Sequence, residues 1–345
     1  MRDARNDCRT VDCLPGFIDG IEEMGGKVLN NLGVTLFLCV PQKLQYESHF
    51  LADPSYPEGE QLHLMRIVAD PEQPGTPVFL LHGSIENGRI FYSANGKGFA
   101  PFLAREGFDV YVADLRGRGK SVPAISRRSD YGQSDAIAVE IPRFLAHIVE
   151  QRGDVPMHLG AHSWGGVNLL SYLARPKVPV KVASLVFFGT KRRITVRSLR
   201  YHWMISFGWH TLGRVMLATR GYLSGRIFGM GSDNISRKTW RETNEWIYRP
   251  EWTHWEDGFD YSAAWRKMKV PPLLSFAGAN DQVLGNPTDV QLTLNELGPD
   301  QPVKFELLAK QNCHLHDYGH IDMLTHPLCE EDHFQMALHW MKKHG

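Results

Sequence analysis

Seven short apolar runs recur along the chain: LHLMRIV at 62–68, PVFLLHG at 77–83, FDVYVAD at 108–114, VPMHLGA at 155–161, VASLVFFG at 182–189, PPLLSFAG at 271–278 and VKFELLA at 303–309. They are rich in Val, Leu and Phe and end at glycines or polar residues, so they predict buried strands. Helical patterns lie between several of them, at about 95–106, 134–152, 164–175 and 287–298, with a last one at about 328–343. Apolar strands alternating with helices predict an α/β fold: a mostly parallel central sheet flanked by helices.

The alternation stops between 191 and 269. That stretch holds Trp203, Trp209, Trp240, Trp246, Trp252, Trp255 and Trp265, which are seven of the nine tryptophans, together with many arginines and no clear strand. It predicts a helical cap or lid inserted between two late strands, since loops that long usually have a function. The expected organisation is an N-terminal extension and docking segment over 1–60, a core over 61–190 and 270–345, and the cap over 191–269. Some of the tryptophans are expected to pack the cap itself and the rest to wall a slot.

Composition narrows the partners. In 345 residues, 38 Lys and Arg balance 38 Asp and Glu, so no global basic excess favours nucleic acid. The KRR run at 191–193 reads as a solvated loop. Five cysteines, an odd and sparse set, imply no disulfide framework. A reducing, cytoplasmic setting is expected. The charged start MRDARNDCRTVDC is unlike a secretory signal. The apolar stretch at 32–40 is far shorter than the ~20 residues that span a bilayer, and is expected to be a strand or docking segment. No transmembrane segment is expected; the cap allows transient contact with a membrane surface.

The chemistry concentrates where the strands end, which is where ligands bind in open α/β sheets. MHLGAHSWGG (157–166) places Ser163 between an apolar run and two glycines. Ala161, Gly165 and Gly166 supply the small neighbours that a sharp strand-to-helix turn requires, and His162 lies within it. This is a nucleophile elbow, with Ala161 replacing the first glycine of G-x-S-x-G. A serine hydroxyl needs a base, the base needs an orienting carboxylate, and an oxyanion needs donors. FLLHGSIENG (79–88) ends a strand at His82-Gly83-Ser84, so the amides of Ser84 and Trp164 are the candidate oxyanion donors. Asp281, just past a strand in SFAGANDQVLGNPTDV, is the candidate acid; Asp289 falls inside the next helix. Of the late histidines, His333 and His339 fall on the final helix and His326 precedes its start. His314, His316 and His320 remain in HLHDYGHIDML. His320 is favoured, because Gly319 permits a tight turn and Ile321 and Leu324 can anchor the loop. Asp322 is expected to hold that loop. The His314–His316 spacing has no further ligand pattern, so no metal is expected.

The order Ser163, Asp281, His320 resembles that of the α/β-hydrolase superfamily over roughly 60–345, and DLRGRGKS (114–121) resembles that superfamily's segment after its third core strand. Within it, GANDQVLGNPTDV and YGHIDML are most similar to lipases of the acid-lipase group. The resemblance implies a cofactor-free serine hydrolase acting on lipophilic carboxylic esters, small-molecule or lipid. Two positions depart from that group: alanine at 161 where glycine is usual, and Trp164 where a polar residue is usual. Ser-Trp-Gly resembles the elbow of prolyl aminopeptidases, whose caps hold a substrate amine with carboxylates; Glu242, Glu245, Glu251, Glu256 and Asp257 supply acids here. A peptidase or amidase therefore stands as an alternative, and a catalytically silent hydrolase-fold binding protein as a second.

Overall fold

The structure, a computed structural model, describes residues 43–176, 178–226 and 231–345. The 32–40 segment, together with Cys8, Cys13 and Cys39, lies outside the described residues.

The described residues form ten strands: β1 (Gln45–Leu51), β2 (Leu62–Val68), β3 (Pro77–Leu81), β4 (Asp109–Asp114), β5 (Met157–His162), β6 (Val182–Phe188), β7 (Tyr222–Ser224), β8 (Asn234–Ser236), β9 (Leu273–Gly278) and β10 (Val303–Leu308). Eight form one sheet in the order β1-β2-β4-β3-β5-β6-β9-β10. β2 runs antiparallel to both β1 and β4. From β4 onward every pairing is parallel.

The period of two along each strand feeds two cores. Phe79, Leu81, Leu159, Ala161 and Phe187 join Phe144, Leu145 and Leu169 on one face. Leu80, Val186, Phe188 and Phe276 meet Phe99, Leu103 and Phe334 on the other. Both faces of the central strands are covered, which is why they read as continuous apolar runs. Each such side chain contributes about 1.5–3 kcal/mol on burial.

The seven expected strands are all present, within two residues at their ends. The sheet, however, begins at Gln45, upstream of the expected core start at 61. β1 is an edge strand with mostly exposed or half-exposed positions, so QYESHFL carries no continuous apolar signal. The stretch between β6 and β9 is mainly helical, with a π-helical turn at His202–Leu212 running into Gly213–Arg220, and a helix at Arg237–Tyr248. It also contains a strand pair, β7 with β8, too short to leave a pattern in the sequence. Trp246, Trp252 and Trp265 are buried in the same cluster as the helix behind β5. Trp209 packs with Leu217, Leu223 and Ile235, and Trp203 is exposed.

The KRR reading is overturned. Lys191 is 6% exposed and Arg192 is fully buried. Arg192 pairs with Glu296 through two 2.6 Å hydrogen bonds and donates to the carbonyls of Trp246, Arg249, Pro250 and Glu251. A guanidinium can be buried here because every face of its fork finds an acceptor.

Candidate active site

β5 lies in the middle of the sheet and is followed at once by Ser163, which sits at φ 52°, ψ −123°, a strained conformation for a residue with a Cβ. The Ser163 amide donates to the Phe188 carbonyl at 2.8 Å, tying the turn to β6. Gly165 is obligatory: a Cβ there would lie 2.4 Å from the Leu81 carbonyl oxygen and 2.5 Å from that of His82. Ala161, by contrast, is fully buried in the core, so its methyl group is accommodated where a glycine is more usual.

The chain brings Ser163, His320 and Asp281 together. His320 Nε2 is 2.9 Å from Ser163 Oγ, and His320 Nδ1 is 2.6 Å from Asp281 Oδ2. The other oxygen of Asp281 accepts the amides of Val283 and Leu284 at 3.2 and 2.9 Å. Burial pushes the Asp281 carboxyl up, but the His320 imidazole and the amides of Gly285 and Val283 more than reverse it and hold it at about 2. An ionised Asp281 accepts Nδ1–H and leaves Nε2 free to accept from the serine hydroxyl; this tautomer follows from the hydrogen-bond network.

The other candidates go elsewhere. His314 is buried against Asp332 at 2.6 Å and Glu306 at 3.4 Å. His316 stacks on His326 with ring centroids 4.4 Å apart. His333 bonds the Met323 carbonyl, and His339 is exposed. Asp289 accepts the amide and hydroxyl of Thr195. Asp322 accepts the Gly319 amide, so it braces the turn before His320 as expected. Leu324 anchors that loop in the core, whereas Ile321 is 45% exposed and lines the pocket over Ser163.

A second histidine–carboxylate pair, unread in the sequence, stands behind the first. His162 Nδ1 is 2.5 Å from Glu86 Oε1, and His162 Nε2 donates to the His320 carbonyl at 2.9 Å. Glu86 Oε1 also accepts the Gly83 amide. Three loops, after β3, β5 and β10, are thereby tied at one point. Burial opposes charge on both partners, yet mutual attraction wins: Glu86 is held down at about 2 and His162 is raised above its ordinary value. His82 is buried and neutral in its hydrogen bonding, donating from Nδ1 to the Gly83 carbonyl and accepting the Leu115 amide at Nε2. Arg118, from the DLRGRGKS segment, donates to the Ser84 carbonyl. Among the described residues, neither the Ser84 amide nor the Trp164 amide is hydrogen-bonded to an acceptor. The Trp164 side chain is buried and donates to Gln133 at 2.9 Å.

A pocket with a cavity volume of about 70 Å³ opens over Ser163 and His320. Ile194, Ile205, Trp209, Ile247 and Leu284 contribute apolar wall, and Lys191 also lines it.

A serine on a strained turn after a central parallel strand, with an acid after a later strand and a histidine after the last, defines an α/β-hydrolase-fold protein. Residues 76–212 match the family model described as alpha/beta hydrolase fold. Solved structures are similar over most of the chain. An esterase from Thermogutta terrifontis has 18% identity, covers 87% of this chain and 100% of its own, and gives a TM-score of 0.52. A monoacylglycerol lipase from Paleococcus ferrophilus has 19% identity over 82% and 99% of the two chains, with a TM-score of 0.50. The 2-hydroxy-6-oxo-6-phenylhexa-2,4-dienoate hydrolase of Rhodococcus sp. strain RHA1 has 16% identity over 87% and 100%, with a TM-score of 0.51. At these identities the likeness is one of fold. No curated protein matches the chain. Among the described residues, no helix is long and apolar enough to cross a membrane.

Proposed function

We propose that the chain is a carboxylic ester hydrolase that works through an acyl-enzyme on esters with an apolar part. The observation that carries this is the continuous hydrogen-bonded chain from Asp281 through His320 to Ser163, opening into a pocket with an apolar wall.

His320 takes the Ser163 proton as Oγ attacks the ester carbonyl, and Asp281 stabilises the imidazolium that forms. The amides of Ser84 and Trp164 receive the oxyanion; the latter opens the helix Trp164–Leu173, whose positive end adds to the field. His320 returns the proton to the leaving alcohol, and water then releases the acyl group by the reverse path. The 191–269 segment acts as the cap that walls the acyl site. Beyond the buried Lys191 and Arg192, its stretch 193–232 holds six Arg and no Asp or Glu, and Leu199, Trp203 and Val215 are exposed on it. These features support transient contact with an anionic membrane surface. The sparse cysteines keep a reducing compartment as the proposed setting.

A peptidase reading requires a free carboxylate in the pocket. Glu242 is bonded to Ser134, Glu245 pairs with Arg249, Glu256 with Lys238, and Asp257 with Arg175. None of these, nor Glu251, lines the pocket. Glu86 lines it but is engaged by His162 and Gly83.

The test is covalent labelling beside turnover. A fluorophosphonate probe should modify wild type at Ser163, and Ser163→Ala should lose labelling and about 10⁴-fold or more in kcat on 4-nitrophenyl hexanoate. Labelling at another serine would overturn the assignment.

A further inference from the structure

Lys191 follows β6, the strand beside the one that carries Ser163. Its side chain is almost completely buried, yet it lines the same pocket as Ser163 and His320. Among the described residues it makes no ion pair and donates no side-chain hydrogen bond. Its charged end stands 6.0 Å from the centre of the Trp164 ring, which favours a cation but does not neutralise it. The acidic groups that act on it, Asp289 and Asp281, do so from beyond salt-bridge distance. Asp281 holds His320 and two loop amides. Asp289 holds Thr195 through Oδ1, and its buried Oδ2 has no hydrogen-bond partner among the described residues. Glu86, the carboxylate that lines the pocket, is taken by His162 and the Gly83 amide.

An ammonium largely withdrawn from water, whose acidic neighbours Asp289 and Asp281 lie beyond salt-bridge distance, is unfavourable unless something completes it. Of the other polar residues in the lining, Ser84, Ser163, Thr243 and His320 carry no negative charge and Glu86 is engaged, so the missing partner is a single negative group presented by the guest. We propose that Lys191 binds a carboxylate on the substrate, so that the preferred ester carries this anion beside its apolar part. The inference rests on the ester-hydrolase reading and specifies its substrate class. Burial lowers the ammonium to about 8, with Asp289 and Asp281 opposing, and a bound carboxylate would hold it charged.

The test uses two matched substrate pairs and reads a ratio within each protein. Mono-4-nitrophenyl adipate against 4-nitrophenyl hexanoate places the carboxylate on the acyl side. 4-Carboxyphenyl hexanoate against phenyl hexanoate places it on the leaving group. In wild type one pair should favour the anionic member by about tenfold or more in kcat/KM, carried by KM, the size expected of a charge-assisted hydrogen bond in a largely desolvated site. Lys191→Met should bring that ratio to about one, and Lys191→Arg should retain part of it. A wild-type ratio near one in both pairs, or a preference that survives in Lys191→Met, overturns the proposal; the first of these is what a lysine serving only Asp289 would give. Should Lys191→Met fail to label with the fluorophosphonate, the wild-type ratio serves by itself. It should fall between about pH 7 and about pH 9, where the substrate carboxylate stays ionised and the lysine does not, and a flat ratio overturns the proposal. Absence of any hexanoate turnover together with absence of labelling overturns the ester reading itself, a distinct result from turnover without anionic preference.

Discussion

Replacing Glu86 by glutamine isolates the pair behind the Ser163–His320 contact. Both ring nitrogens of His162 face acceptors, Glu86 Oε1 at 2.5 Å and the His320 carbonyl at 2.9 Å. The folded pair therefore holds one proton more than a neutral imidazole beside an ionised carboxylate, whichever partner carries it. His162 is raised above 6.5, so its contribution is fully present below that value and is lost as pH rises through its folded value. Glu86 is lowered from 4.5 to about 2, so its contribution is present above 4.5 and is lost as pH falls through about 2. The pair is strongest in the window between 4.5 and 6.5. In Glu86→Gln, a neutral His162 can still donate to the His320 carbonyl and accept from the new side-chain amide at Nδ1. The folded variant then binds one proton fewer, while the two unfolded chains bind equal numbers above about pH 5.5. The stability gap must widen as pH falls from about 7.5 to about 5.5, by up to about 1.4 kcal/mol per pH unit. Urea unfolding of both proteins at the two pH values measures it. Loosening three loops should also lower kcat/KM by about 10–100-fold, since misplacement near 1 Å is enough for that. A gap that is equal at both pH values, or larger at the higher one, would refute the shared proton.

Two further outcomes follow from the site. Asp281→Asn should lower kcat by about 10⁴-fold by imposing the wrong His320 tautomer, whereas Asp322→Asn, which weakens only the Gly319 turn, should cost far less; steady-state kinetics on one ester compares them, and the reverse order would exchange their roles. Catalytic efficiency should rise from acetyl to at least hexanoyl esters, because each methylene buried against Ile194, Ile205 and Leu284 contributes about 0.8 kcal/mol; a flat series together with faster cleavage of prolyl or alanyl anilides would favour the peptidase.

The central strands were legible because parallel strands covered on both faces must be apolar throughout, and the turn at 161–166 because Gly165 has backbone oxygens where a Cβ would lie. β1 was not, since an edge strand needs no apolar face toward solvent, and it escaped into what reads as an N-terminal extension. Glu86 was invisible for a different reason. Nothing in SIEN announces a carboxylate whose partner is 76 residues away. The KRR run misled because charge composition reports the cost of burial but not the acceptors that offset it; Arg192 has six hydrogen bonds to do so, in Glu296 and four carbonyls. Lys191, its neighbour, is buried without such acceptors, and that contrast between adjacent residues was available only in three dimensions.

Arg192 also divides the long insertion into two mechanical parts. Its fork fastens the end of the helix Arg237–Tyr248 to Glu296, behind the sheet strands, so that half is riveted to the scaffold. The stretch 199–220 has no buried ion pair of this kind among the described residues; it is held by Tyr201 and Ile205 in the main core, by Arg127 donating to the Thr219 carbonyl, and by the small cluster around Trp209 and Leu217. For anyone recombining such proteins, the grafting unit is the front half: 199–220 can be exchanged to alter what the pocket admits, while a cut that separates Arg192 from the 246–251 carbonyls would strand a guanidinium in the interior and take the whole insertion with it.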